Sequence, residues 1–338
     1  MKFGPVPVGE SAGTLLAHSV KQGDLVLRKG HRLTAADVLR LTAAGVATVV
    51  VARLGPDDVH EDDAARRLAE ALAGAQVDNG SATTGRSNLH ARRAGLVRID
   101  AARIHAINAV HESLTVATLP DHEPVTEGQM LATVKVIPYA APRDALERAL
   151  VLAQGAEAAI HVAPYRGLGV GLILTRLPGT RATVLAKMRG AVEKRLAPLQ
   201  AQLRAEDVVA HDAAAIAQTL AAFAARPEID MVLISGIAAT VDRADVVPAG
   251  IGAAGGVVLH AGMPVDPGNL LVLGILQRAD SRCAIVGMPT CARSPKLNGL
   301  DFVLRRLAAG LDVGACDIMA MGVGGLLGEI PTRPMPRE

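Results

Sequence analysis

The chain has 338 residues, half of them hydrophobic, and it balances 35 basic against 33 acidic side chains. This length favours two or three domains with sizeable cores. The balanced charge argues against a general nucleic-acid-binding protein, which usually carries a basic excess. With no Trp, two Tyr and three Phe, the chain also lacks the aromatic platforms on which single-stranded nucleic acid stacks.

Cysteine usage and hydropathy narrow the class further. Cys283, Cys291 and Cys316 are odd in number and show no CxxC spacing, so we expect neither a disulfide framework nor a structural zinc site. The opening MKFGPVPVGESAG has no apolar signal region, and no stretch reaches about 18 uninterrupted apolar residues. We therefore expect a cytoplasmic protein without a membrane segment. The Ala-, Arg- and Gly-rich composition is typical of a GC-rich bacterial genome.

The first segment, residues 1–75, is predicted to be α/β. Thr34 is a favoured N-cap, and Asp37 stands three residues later as in a capping box. The helix that follows should end at Gly45, with a strand over residues 46–51 and a second helix over Glu61–Gly74. Residues 76–142 contain a short helix and two β-rich runs, LTVATL and MLATVKVI, which predict a β-rich or α+β subdomain.

From residue 143 to residue 327 the pattern alternates between helix and strand. It predicts helices over Arg143–Ala153, Val184–Leu203 and Phe302–Leu311, a helix capped by Asp212, and strands over Gly169–Arg176, Asp207–His211 and Met231–Ser235. Such alternation implies a mostly parallel sheet covered by helices, that is, a three-layer α/β/α domain. The Pro-rich residues 328–338 are predicted to form a disordered tail.

Three buried-strand runs of this domain are each followed by a polar loop. The runs are Met231–Ser235, Val257–Ala261 and Cys283–Gly287. In open parallel sheets, ligands bind outside the carboxyl ends of the strands. We therefore expect the three loops to share that edge and to form the functional site.

The first loop offers paired carboxylates. Ser235 and Gly236 end a strand, and Asp242 and Asp245 follow three residues apart. Two carboxylates at the mouth of a sheet could hold Mg²⁺ together with phosphate and water. Alternatively, Asp245 only caps the helix that opens at Val246, because Asp is a favoured N-cap.

The other two loops suggest a turn and an anion site. Asp266-Pro267-Gly268-Asn269 is a turn by composition. After Pro289, the residues Arg293, Ser294 and Lys296 lie close together before a helix, which suits an anion such as phosphate. A solvated basic loop is the alternative. Cys291 beside Arg293 has no recognisable base nearby, so we do not assign it as a nucleophile.

Taken together, these residues resemble the molybdopterin-binding fold of the MoeA/MogA type. The strand that ends at Ser235-Gly236 before Asp242, the segment from Met263 to Asn269, and Gly287-Met288-Pro289 match its motifs. The segment KGHRLTAADVLRLTAAGVATVVVARL is similar to part of MoeA. The segments ATTGRSNLHARRAGL, TVATLP, ATVKVIPYA and CARSPKLNG resemble a bacterial subgroup often joined to a molybdenum cofactor nucleotidyltransferase. The resemblance covers most of residues 1–327.

The resemblance implies a MogA-like C-terminal domain over residues 143–327, preceded by MoeA-like subdomains over residues 1–75 and 76–142. It implies binding of molybdopterin or its nucleotide form, with Mg²⁺ on Asp242 and Asp245 as catalytic and metal-binding residues, and molybdate as a substrate. It also implies a homodimer. The implied ligand-binding residues are Ser235, Gly236, Asp266, Gly268, Asn269, Pro289, Arg293, Ser294, Lys296, Arg176 and Lys187.

The chain departs from the family pattern in its first sheet loop. That loop reads Thr175-Arg176-Leu177-Pro178-Gly179 and is basic, whereas the family commonly places an acidic residue there. Two hypotheses follow: a molybdenumtransferase that releases AMP, or a non-catalytic module that delivers molybdopterin to a nucleotidyltransferase or a molybdoenzyme. The basic loop favours the second. A third reading keeps the Asp residues as caps and turns, with the cleft binding another phosphorylated metabolite.

Overall fold

The computed structural model describes residues 1–327 of the protein. The chain divides into two compact units, Met1–Ala163 and Pro164–Glu338. The predicted tail over residues 328–338 lies outside the described residues. Among the described residues, no helix is long and apolar enough to cross a membrane.

The first unit is built mainly from short antiparallel strands. Its helices are α1 (Ala35–Ala43), α2 (Glu61–Leu72), α3 (Ala101–Asn108) and α4 (Arg143–Ala153). Its strands are β1 (Lys2–Pro7), β2 (Leu15–Leu16), β3 (Val20–Gln22), β4 (Leu25–Leu27), β5 (Thr48–Arg53), β6 (Asp58–His60), β7 (Val77–Asn79), β8 (Arg86–Ala91), β9 (Gly95–Ile99), β10 (Leu114–Thr118), β11 (Pro124–Val125), β12 (Met130–Val136), β13 (Ala140–Pro142) and β14 (Ile160–Pro164).

Two large hydrophobic cores lie in the described part of this unit, beside a smaller cluster of Leu15, Ala17, Ala52 and Tyr139. The first, between Val8 and Val51, packs the β1-β5-β2 sheet and α1 around Leu16, Leu33 and Leu41. The predicted capping box of α1 is confirmed: the Asp37 backbone N–H donates to Thr34 Oγ1, and the Thr34 N–H donates to Asp37 Oδ2 at 3.0 Å. Capping satisfies backbone donors that the first turn of a helix leaves without partners.

The second core spans Val59 to Val162 and gathers α2, α3 and α4 around the β10-β12-β8-β7 sheet. Helix α4 places Leu146 in this core and packs against α2. The sequence groups α2 with residues 1–75 and α4 with residues 143–327, whereas the structure places both helices in this core. An apolar stripe shows that a helix has a buried face, but it does not show which neighbour covers that face.

The second unit contains a six-stranded sheet with the order β16-β15-β17-β20-β19-β18. Its strands are β15 (Gly169–Arg176), β16 (Gln202–Ala210), β17 (Met231–Ser235), β18 (Val257–Ala261), β19 (Val272–Gln277) and β20 (Arg282–Gly287). Its helices are α5 (Ala182–Leu196), α6 (Ala213–Ala224), α7 (Val246–Ala253), α8 (Gly299–Ala308) and α9 (Ala315–Ala320). Neighbours among β16, β15, β17 and β20 pair in parallel, whereas β19 runs antiparallel to both β20 and β18.

Helices cover both faces of this sheet. Helices α6 and α7 pack on the face that carries Ile173, Val232 and Ile285. Successive strand residues point to opposite faces, so Leu172 and Leu233, both fully buried, belong to the other face, where α5 contacts β15 and β16. The predicted α/β architecture is therefore observed, with a mixed sheet.

One helix of the second unit ends earlier than its sequence pattern predicts. We expected Val184–Leu203, but α5 ends at Leu196, and a 3-10 turn with Pro198 in its first positions follows. Gln200 then adopts a left-handed conformation with φ of 58°, and β16 begins at Gln202, well before the predicted Asp207. Pro cannot continue a helix because it lacks the N–H and clashes with the preceding turn.

The three polar loops leave the sheet at one edge, as predicted. Strands β17 and β20 run in the same direction, and β18 shares it because β19 is antiparallel to both of its neighbours. The outermost strands of the sheet are β16 and β18. The β18–β19 register is irregular between Val258 and His260. The carboxyl edge of this sheet is therefore where the candidate site is built.

The α1 capping box generates a pH-dependent prediction. Hydrogen bonds from His31 and then Thr34 hold the pKa of Asp37 well below its usual range. The carboxylate therefore stabilises the fold above its unfolded pKa of about 4, and this stabilisation is lost as the pH falls from there toward the lower folded pKa. We expect Asp37→Ala to cost about 1 kcal/mol at pH 7.

The measurement is urea unfolding followed by circular dichroism at pH 7 and at pH 2.5. The gap between wild type and Asp37→Ala should narrow at the lower pH, while the exposed Asp24→Ala control changes little at either pH. A gap of equal size at both pH values would contradict the assigned role of the carboxylate.

Candidate functional site

Three strand ends are tied together at the carboxyl edge by one hydroxyl. Thr175, at the end of β15, is fully buried. Its Oγ1 accepts the Ile237 N–H at 2.8 Å and lies 2.9 Å from Nδ1 of His211. The His211 N–H in turn donates to the Arg176 carbonyl at 2.9 Å. The loops after β15, β16 and β17 are thereby fixed relative to one another.

Arg293 joins the loop after β20 to this cluster. Its Nη2 donates to the carbonyls of Gly236, at 3.1 Å, and Ile237, at 2.7 Å. Its Nε is buried and has no hydrogen-bond partner within residues 1–327. Buried N–H groups are nearly always satisfied, so this donor calls for a partner outside the described residues. The structure thus brings together two residues that the sequence placed in one site, Gly236 and Arg293.

The shape of the Arg293 loop depends on a buried arginine that was not predicted from the sequence. Arg195, in the last turn of α5, donates from Nε to Asp301 Oδ1 at 3.0 Å. Its Nη1 donates to the carbonyls of Ala191 and Ala292, and its Nη2 to those of Ser294 and Lys296. All five N–H donors of a guanidinium are therefore satisfied.

Asp301 completes this arrangement at the start of α8. Its second oxygen accepts the Asn298 N–H at 2.8 Å in a capping box, and Asn298 Oδ1 accepts the Leu300 N–H. Arg195 and Asp301 have only 5% and 13% of their side chains exposed. One ion pair therefore determines both the loop over residues 292–296 and the start of the following helix.

The paired carboxylates of the first loop act as local caps. Asp242 Oδ1 accepts the Ala244 N–H at 2.7 Å. Asp245 accepts the Val246 N–H on Oδ1 and the Val241 N–H on Oδ2, and it is the N-cap of α7. The capping alternative is therefore observed for Asp245. No group of three or more His, Cys, Asp or Glu side chains suited to a metal occurs in the described part of the chain.

A cavity of about 260 Å³ adjoins these caps. It lies between the loop over residues 240–243, which includes Asp242 and Arg243, and the start of the β18–β19 connection at Gly262. Leu270 and Val272 form an apolar part of its wall. The cavity thus combines one carboxylate, one guanidinium and apolar contacts at the predicted edge.

The predicted turn after β18 is used mainly for packing. Gly268 has a φ of 141°, and a Cβ there would lie 2.5 Å from the backbone N of Gly299 in α8, so only glycine fits. The Asp266 N–H donates to Gly325, and its carbonyl accepts from Leu327. Asn269 is exposed and donates to the Met263 carbonyl. The close approach to α8 thus explains the glycine at position 268 without a ligand.

The remaining predicted ligand-binding residues fall into two groups. Ser235 and Pro289 are buried near the ends of β17 and β20, and Ser294 is half-buried in the loop held by Arg195. The side chains of Arg176, Lys187 and Lys296 are exposed and make no hydrogen bond or ion pair within residues 1–327. Lys296 follows Arg293 by three residues in the sequence, whereas Lys187 lies on α5.

The thiol in this region is not activated. Burial raises the pKa of Cys291, so less thiolate is present near neutral pH, and the thiolate is the nucleophilic form. This agrees with leaving Cys291 unassigned as a nucleophile. Cys283 is buried in the sheet, where burial likewise raises its pKa, and Cys316 is exposed.

Comparison with known proteins gives one family match. A family model described as a domain of unknown function (DUF8806) matches residues 5–53. No curated protein matches the chain.

Three solved structures are similar to the chain at low identity. Molybdenum cofactor biosynthesis protein B is 13% identical, with a TM-score of 0.30, over 42% of this chain and 94% of its own. The molybdopterin biosynthesis enzyme MoaB from Thermus thermophilus is 14% identical, with a TM-score of 0.27, over 42% of this chain and 97% of its own. A molybdenum cofactor biosynthesis protein from Pyrococcus furiosus is 14% identical, with a TM-score of 0.25, over 92% of this chain and 66% of its own. At these scores the likenesses carry no argument.

The Arg195 arrangement predicts a large loss of stability on truncation. Arg195→Met would leave the Asp301 carboxylate without its cation in a buried setting, and removing one partner of a buried pair typically costs about 3–5 kcal/mol. Arg189→Met is the matched control on the same helix. Arg189 pairs with Glu193 and Glu206 while half-exposed, and surface pairs contribute at most about 1 kcal/mol. Calorimetric unfolding of the two variants would measure the difference, and equal losses would contradict the assignment.

Proposed function

We propose that the protein binds molybdopterin or its nucleotide form at the carboxyl edge of the second unit's sheet, in the biosynthesis of the molybdenum cofactor. The observation that carries the proposal is the buried Nε–H of Arg293, which has no partner within the described residues. The motif resemblance of the surrounding loops supplies the identity of the ligand, whose phosphate is the chemistry that this donor suits.

The physical case for a phosphate rests on geometry and charge. The two N–H groups of Arg293 Nη2 are used by carbonyls, so Nε and Nη1 are the donors left for a phosphate oxygen, and charge-assisted hydrogen bonds are roughly twice as strong as neutral ones. Arg293 is already anchored through Nη2 to two carbonyls, so ordering it costs little on binding. The exposed ammonium of Lys296 follows three residues later and adds positive charge.

The other ligand contacts are part of the same proposal. Ser235 and Gly236 border the site beside Arg293, with Pro289 and Ser294 on the loop after β20. Asp266, Gly268 and Asn269 would approach the ligand from the loop after β18, while Arg176 and Lys187 would add positive charge from the loop after β15 and from α5. Arg195 supports this part of the proposal because it binds the carbonyls of Ala292 and Ser294, which flank Arg293.

We favour binding and delivery over catalysis. A Mg²⁺ ion would need oxygen ligands, and three of the four carboxylate oxygens of Asp242 and Asp245 accept backbone N–H groups. This donor set fits the ion poorly, so no step is assigned to it. On this proposal the protein presents its ligand to a separate nucleotidyltransferase or molybdoenzyme.

A molybdenumtransferase is the second candidate, and one observation favours it. Asp242 and Arg243 both line the cavity of about 260 Å³. In that reaction, water would cleave the phosphoanhydride of adenylylated molybdopterin and release AMP, with molybdate as the second substrate.

Arg293→Gln should weaken molybdopterin binding at least tenfold, because the charge and the fork are lost while a similar volume remains. Arg282→Gln is the matched control, since it removes the same charge from the opposite end of β20. Isothermal titration under anaerobic conditions would measure both Kd values. Equal Kd values for wild type and Arg293→Gln would refute the assignment.

A turnover assay separates the two candidate functions. Wild-type protein is incubated with adenylylated molybdopterin, Mg²⁺ and molybdate, and AMP is quantified. We expect binding without AMP release. If AMP forms, and Asp242→Asn abolishes its formation while the Asx turn to Ala244 is retained, the transferase is correct. Sedimentation velocity on the same sample tests the expected homodimer.

A further inference from the structure

A second cavity, of about 300 Å³, lies within the first unit. Its charged lining residues are Lys29, Glu61 and Lys135, and Thr84 and Tyr139 also border it. None of these residues has a ligand-binding role predicted from the sequence. The volume of the cavity is at the lower end of the range for small-ligand sites.

Both ammonium groups are held in place. Lys135 Nζ donates to the Thr84 carbonyl at 2.5 Å and lies 3.7 Å from Glu61 Oε2. Lys29 Nζ lies 5.7 Å from the centroid of the Tyr139 ring, within cation–π range. That ring is fixed in turn, because the Tyr139 hydroxyl donates to the Ala17 carbonyl at 2.8 Å. An ammonium has three donors, so Lys135 keeps N–H groups for a ligand after its bond to Thr84.

Glu61 supplies an acceptor in the same space. Its backbone N–H donates to the Tyr139 carbonyl at 3.0 Å, which fixes the start of α2 at the cavity wall. Its carboxylate is 13% exposed and accepts no hydrogen bond within residues 1–327. Burial raises the pKa of Glu61, which Lys135 partly offsets. Among the residues that line the cavity, two ammonium groups stand against one carboxylate, and the Asp62 carboxylate, which also acts on Glu61, lies outside that lining.

We propose that this cavity binds a small metabolite that carries an oxyanion, either a carboxylate or a phosphate, between the ammonium groups of Lys29 and Lys135. Glu61 would accept a hydrogen bond from a donor elsewhere on the ligand. Ile137 and Pro138, which also line the cavity, provide an apolar wall. A merely structural Glu61–Lys135 pair would stabilise α2 but would not bind anions, so the two roles can be distinguished.

The test is an amide NMR titration of the full chain with sulfate, with chloride at equal ionic strength as the reference. Sulfate keeps its charge near neutral pH. We expect saturable shifts of the Gly30 and Glu61 amides at millimolar sulfate, at least tenfold weaker binding in Lys135→Met, and unchanged binding in the exposed control Lys21→Met. Separate titrations with acetate and with phosphate decide which oxyanion is preferred.

Glu61→Gln gives the sharpest outcome, because removing a negative charge should strengthen sulfate binding several-fold even if the variant is less stable. Unchanged or weaker binding in Glu61→Gln would overturn the proposal. Non-saturating shifts, or equal shifts with chloride, would also overturn it. These readouts concern the first unit alone, so they are independent of molybdopterin binding at the Arg293 site.

Discussion

The candidate site depends on one buried ion pair. The guanidinium of Arg195 binds Asp301 and four carbonyls, and these contacts fix the loop that carries Arg293. A buried charge is tolerated only when its hydrogen-bonding capacity is filled. Here the Asp301 carboxylate accepts the Nε–H, and backbone carbonyls accept the four Nη N–H groups. These hydrogen bonds order the loop together with the fully buried Ala292. Ser294 is half-buried and Lys296 is exposed.

Backbone demand and ligand chemistry compete for the same side chains at this edge. Asp245 and Asn298 each satisfy the first turn of a helix, so their oxygens are engaged before any ligand arrives. The Thr175 hydroxyl likewise accepts a backbone N–H, that of Ile237 in the loop after β17. Arg293 differs because one of its donors is buried and has no partner within the described residues. A buried donor without a partner costs about 1–3 kcal/mol, which a bound oxyanion would recover.

Local signals in the sequence were sufficient for some features and not for others. The limits of β17 and the caps at Thr34 and Asp212 follow from short-range patterns, and the structure confirms them. The role of Arg195 could not be predicted, because the loop carbonyls that it binds lie 97 to 101 residues away in sequence. The reversed direction of β19 was also missed, since an apolar run does not reveal its direction. The sequence predicted that the three loops share one edge of the sheet, but the contacts between their residues depend on tertiary structure.

The two outermost strands of the second unit's sheet have different features that oppose the addition of a further strand. The outermost strand of a sheet has a row of unpaired N–H and C=O groups with which a strand of another chain can pair. Strand β16 carries Arg204, Glu206 and Asp207, so a strand that paired with β16 would have to bury these charged side chains. Strand β18, VVLHA, has no such charge. Its register is irregular between Val258 and His260, and it contacts α9. Both features interrupt the ladder of hydrogen bonds. Resistance to aggregation at this strand therefore depends on backbone shape rather than on electrostatics.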